Sequence, residues 1–173
     1  MAGKLIGAWG VLGVVAMLAQ ALWRLTPRAW EAVGGGLTTT QWVVTIVWVI
    51  AMAHAEGYRG FHRRFSPRVV ARAQWLAAHP DPLRAVLAPL YCMSLFGASR
   101  RGMLVARVLF AGIVVLVLVV RMLPQPWRGI VDAGVVVGLA IGTLSILYYA
   151  GRAVAGHEPA VPPDLPEDEL TQA

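Results

Sequence analysis

Residues 5–23 read LIGAWGVLGVVAMLAQALW, nineteen positions without a formal charge, whose most polar side chain is Gln20. At about 1.5 Å of rise per residue, a helix of this length approaches the roughly 30 Å hydrocarbon core of a bilayer. Trp23 followed by Arg24 gives the run an interfacial stop at its far end. A cleaved signal peptide is the competing reading, because Lys4 supplies a positive n-region and Ala19-Gln20-Ala21 resembles a small-residue cleavage site. The apolar run is long for an h-region, which favours a retained helix.

Three further stretches repeat the pattern. Residues 37–55 form a second span rich in β-branched Val and Ile, with the hydroxyls of Thr38, Thr39 and Thr40 placed to cap its start. Residues 103–122 form a third, with Arg107 close enough to one end for its guanidinium to snorkel to the headgroups. Residues 129–150 form a fourth, in which Gly134, Gly138 and Gly142 recur every four positions and line one face. Such a stripe permits close helix packing, within the bundle or between copies.

Composition agrees with the spans. The chain is 58% hydrophobic and 14% charged, whereas about a quarter of residues in a soluble domain are charged. The fold class expected is therefore all-α: a polytopic transmembrane helical bundle over residues 1–156. The breaker-rich Thr26-Pro27-Arg28 and Gly34-Gly35-Gly36 separate the first two spans as a hairpin loop.

Between the second and third spans, Ser66 and Pro67 open an amphipathic helix over residues 67–79. On a helical wheel Val69, Val70, Ala73, Leu76 and Ala77 share one arc, and Arg68, Arg72, Trp75 and His79 another, as in a helix lying in the membrane interface. Asp81-Pro82 starts a second interfacial or re-entrant helix over residues 82–98. That segment carries Arg84 and Pro89 and is short for a crossing, although a fifth span there is the alternative.

Arginine placement barely separates the four-span and five-span topologies. Four spans put Lys4, the eight arginines from Arg59 to Arg101, and Arg152 on one side, with Arg24, Arg28, Arg121 and Arg128 on the other. The positive-inside rule then makes the N- and C-termini cytoplasmic. Four spans also gather Trp23, Trp30, Trp42 and Trp127 at the outer interface, where five would separate Trp127 from the rest. Arginine in place of lysine fits a cell inner (plasma) membrane of bacterial type. Residues 157–173 hold four prolines and five acids, too little apolar surface to offset ordering entropy, and are expected to be a disordered acidic tail.

The net charge of +6 comes almost wholly from arginine between apolar spans. Anionic lipid headgroups are its natural partner, and no motif accompanies it that would indicate nucleic acid. Arg59, Arg63, Arg64, Arg68 and Arg72 are the candidate headgroup contacts. Cys92 is the only cysteine, which excludes an internal disulfide and any multi-cysteine metal site.

Chemistry has one candidate location. His54 and Glu56 stand at the inner end of the second span with His62 beyond, and ionisable groups at membrane depth form a candidate proton or metal site. On an α-helix, however, His54 and Glu56 point about 200° apart, whereas helical metal ligands sit three or four residues apart. An ion pair of Glu56 with Arg59 or Arg63 explains the carboxylate more simply. No phosphate loop, His-Glu-x-x-His or nucleophile elbow occurs, and no cofactor is expected. The reading is a non-catalytic accessory, scaffold or assembly subunit in contact with the bilayer, anionic lipids and other membrane proteins or a second copy. A small transporter or channel is the runner-up, with the Thr38 to Thr45 face as its most polar lining. A membrane enzyme using His54, Glu56 and His62 comes third.

Overall fold

A computed structural model describes residues 2–166, and it is helical throughout with no strand among those residues. Helix α1 runs Ala2–Gly34, 33 residues, and so extends well beyond the expected span of 5–23. It passes through Pro27, where Thr26 Oγ1 donates to the Leu22 carbonyl at 2.7 Å, and stops only at the glycines, with Gly36 at φ +83°. The hairpin break expected at Pro27 therefore falls one to two turns later. Polar Arg24, Arg28 and Glu31 lengthen the helix because nothing in their backbone preference ends it.

Helix α2, Thr39–Met52, starts from a capping box. The Gln41 amide donates to Thr38 Oγ1 at 3.3 Å, and the Thr38 amide donates back to Gln41 Oε1 at 2.9 Å. The chain then does not break. A π-helical segment, Ala53–Phe65, leads directly into α3, Ser66–Ala78. The missing N–H of Pro67 falls where the hydrogen-bond register changes from i→i+5 to i→i+4, so the helix proceeds.

Helix α3 is largely buried within the protein. Val69, Val70, Ala73 and Leu76 pack inward as the wheel predicts, but Arg72 from the opposite arc is 0% exposed as well. The helix is covered on both sides, by α1 and by the chain that follows it. In α1, Gly7 and Gly3 lie against the carbonyls of Ala73 and Ala77.

Residues 82–98 contain two five-residue helices, α4 (Pro82–Val86) and α5 (Ala88–Cys92), interrupted at Leu87. Neither is long enough to cross a bilayer as a helix. Asp81 caps α4 as its sequence predicts, its Oδ1 accepting from the amides of Leu83 at 2.8 Å and Arg84 at 3.2 Å. Helix α5 lies against α1, where Gly10 meets Ala88 and Cys92, and Gly13 meets Pro89. A turn with Ser94 and Gly97 at positive φ leads to α6, Arg100–Arg121, capped by Ser99. Helix α7, Trp127–Val154, closes the set.

Three helices, α1, α6 and α7, are long and apolar enough to cross a membrane. Helices α1 and α7 run antiparallel: Gly129 at the start of α7 faces Ala32 and the Arg28 carbonyl, while Val14 and Ile146 share the core further along. The α2 and π-helical run is parallel to α7, since Trp48 meets Val131 and His62 meets Ser145.

The chain after α7 is not free. Leu165 is buried in the core, and Asp164 joins the start of α6: its carbonyl accepts from the Ser99 amide at 3.2 Å and its Oδ1 from the Ser99 hydroxyl at 2.7 Å. The sequence predicts disorder from residue 157 onward; residues 157–160 are exposed, residues 163–165 pack back onto the body, and 167–173 lie outside the described residues.

Candidate functional site

The seam between the π-helical segment and α7 holds two of the residues singled out for chemistry, Glu56 and His62. In a π-helix the hydrogen bond spans five residues, so residues five apart come onto one face. Glu56 and Phe61 therefore meet Gly138 and Gly142, which are four apart on α7, and Gly57 and His62 meet Ile141 and Ser145, also four apart. A step of five on one helix is matched to a step of four on the other. The wheel drawn at 100° per residue cannot show this pairing.

All three glycines of the α7 stripe are buried within the chain. Gly134 meets Trp48 and Met52, and a Cβ at Gly142 would lie 2.6 Å from the Phe61 ring. Trp48 Nε1 also donates to the Val131 carbonyl at 3.2 Å, tying α2 to the beginning of α7.

Glu56 sits deeper than its sequence position indicates, opposite Gly138 near the middle of α7. A Cβ added at Gly138 would lie 2.9 Å from Glu56 Oε2. That oxygen is buried and has no hydrogen-bond partner. One α7 turn or two further on, His62 Nδ1 and Ser145 Oγ are 3.1 Å apart. The imidazole lies within an aromatic group, 5.7 Å from the Tyr58 ring, 5.5 Å from Tyr149 and 6.2 Å from Tyr148. His54 is exposed and touches this group only through Tyr58, at 6.1 Å between ring centres. The three residues thus occupy separate places, and among the described residues no three His, Cys, Asp or Glu side chains come together as a metal site.

The five arginines expected at headgroups divide. Arg59, Arg63, Arg64 and Arg68 are exposed. Arg72 is not at the surface, and its assignment there is corrected. Its Nε donates to the Tyr91 carbonyl at 2.8 Å, Nη1 to Pro163 and Asp164 at 3.0 and 2.9 Å, and Nη2 to Phe96 and Gly97 at 3.1 and 2.8 Å. All five N–H donors of the guanidinium are used. Its carbon lies 4.0 Å from the centre of the Tyr91 ring. An arginine can be buried when its donors and charge are answered in this way, and here backbone carbonyls and an aromatic face answer them. The adjoining Cys92 thiol is pushed up to about 12 by burial, against the opposing pull of Arg72.

Sequence reading missed this node, the π-helical register and the role of Ser145. The carbonyls that collect Arg72 come from turns far apart in the chain, and backbone acceptors leave no residue signature. Asp132 is 4% exposed, and its Oδ2 has no hydrogen-bond partner among the described residues. Thr45 of the supposed pore lining is buried and bonds the Gln41 carbonyl of its own helix at 2.7 Å. No protein-family profile matches the chain, and comparison with curated proteins and with solved structures gave no match.

Proposed function

We propose that this chain is a non-catalytic subunit of a membrane complex, an accessory, scaffold or assembly protein of the cell inner membrane. It crosses four times with both termini cytoplasmic. Helices α1, α6 and α7 supply three crossings, and α2 with the first residues of the π-helical segment supplies the fourth. Support for an even number comes from the parallel run of α2 and α7, between which the chain returns once, through α6.

The observation that carries the reading is α6. None of its 22 residues is buried, while α1, α3, α5 and α7 share one core. Lipid solvates such a helix adequately, but a helix that touches its own chain mainly near its ends, as where Arg107 Nε donates to the Leu95 carbonyl at 3.1 Å, is also a ready surface for the helices of another protein. The exposed Arg59, Arg63, Arg64 and Arg68 offer charge for anionic headgroups or an acidic partner. Isolation from native membranes in mild detergent, followed by mass spectrometry, should recover a stoichiometric protein partner; a lone monomer with neither protein nor tightly held lipid would refute the proposal.

Transport is a second reading, favoured by the unpartnered Glu56 oxygen opposite the middle of α7. On that reading Glu56→Gln abolishes solute or ion flux in proteoliposomes.

A further inference from the structure

The geometry points to Glu56 as a reversible proton-binding site, a half-buried carboxyl whose Oε2 is enclosed in the seam between the π-helical segment and α7. Three independent features define it. First, Oε2 is sealed from solvent and meets no donor. Second, the wall facing it is shaped for the carboxyl: Gly138 leaves the space, and any side chain there would press against Oε2. Third, the wall carries no charge to balance a carboxylate. From Ala133 to Leu147, α7 contains no ionisable residue, and its only hydroxyls are Thr143 and Ser145.

The titratable and charged groups nearby lie elsewhere. On α7 they are Asp132, six residues before Gly138, and Tyr148 and Tyr149 beyond Ser145. On the π-helical segment, His54, Tyr58, Arg59, Arg63 and Arg64 are exposed, and His62 is held against Ser145. On α3, Arg68 is exposed and Arg72 is committed to carbonyls. Helix α2 contributes Trp48 and Met52 but no ionisable side chain. A carboxylate in this setting finds no protein donor or charge for its buried oxygen, and a proton supplies what the protein withholds. The π-helical register is what brings Glu56 to this place, since it lets the Glu56 and Phe61 contacts coincide with the four-residue glycine step of α7.

The site does not depend on α6 having a partner, so its test stands apart from that of the proposed function. Full-length protein in nanodiscs is treated with dicyclohexylcarbodiimide, a hydrophobic reagent whose C=N bond adds the O–H of a protonated carboxyl. Adducts are then located by mass spectrometry across a pH series. The site predicts labelling of Glu56 at neutral pH exceeding that of exposed Glu31 several-fold. Labelling should fall as pH rises, and E56Q should lose both the adduct and a protonated-carboxyl band in the infrared difference spectrum. Equal labelling of Glu56 and Glu31 at every pH would overturn the assignment. Protection of Glu56 by sodium at fixed pH would overturn it too, in favour of a bound cation.

Discussion

Arg72 ties the molecule together through backbone carbonyls of three segments, so its loss should cost more than any exposed arginine. Leaving several of those buried acceptors unmade, at roughly 1–3 kcal/mol each, predicts that Arg72→Met destabilises by about 3 kcal/mol or more. Arg68→Met should change stability little, and thermal unfolding in detergent compares the two. Arg72→Lys recovers only part, because a compact ammonium cannot span donors that a planar fork reaches. Cys92 offers a second check at this scale. With its thiol raised to about 12 by burial, the thiolate is scarce at neutral pH. Maleimide should therefore label Cys92 slowly in the native protein and quickly after denaturation; rapid native labelling would contradict the burial. At the residue scale little of this was legible. The sequence marks Arg72 as one more basic residue on a polar arc, identical in pattern to Arg68. What separates them is the fold of residues 91–97 and 163–164, which no local pattern encodes.

Elements were more readable than their joints. The apolar runs locate α1, α6 and α7, and the Thr38 and Asp81 caps open helices as their chemistry requires. The joints failed because helix-breaking residues were read by type: Pro27 and Pro67 lie inside continuous helix, while the π-helical stretch has no compositional mark. Gly3, Gly7, Gly10 and Gly13 form the face of α1 that receives α3 and α5. Gly13→Leu must displace Pro89 and should destabilise by about 1–3 kcal/mol, as overpacking commonly does. Gly112→Leu on α6 meets open space, so stability in detergent should be unaffected. The C-terminal strap predicts a further result. Truncation after Gly156 removes the Pro163 and Asp164 carbonyls from Arg72 and should destabilise the protein. Combined with Arg72→Met it should cost less than the two effects added, because both remove the same contacts.

Across the whole molecule the asymmetry is between a packed body and one bare helix. Helices α1, α3, α5 and α7 enclose the core, with the residues after α7 closing over it, while α6 departs from Ser99 and returns at Pro126 with no residue buried. The sequence shows why α6 is apolar but not why it stands apart: the unbroken Val, Leu and Ile run from Ile113 to Val120 leaves no polar face to say which side meets protein. The account holds that another protein completes that surface. The direct test is photo-crosslinking in native membranes from single sites around α6, Val108 and Val115 among them. The account predicts a discrete protein adduct, confined to one face of the helix and weakened by Gly112→Leu. Adducts to lipid alone from every site would contradict it.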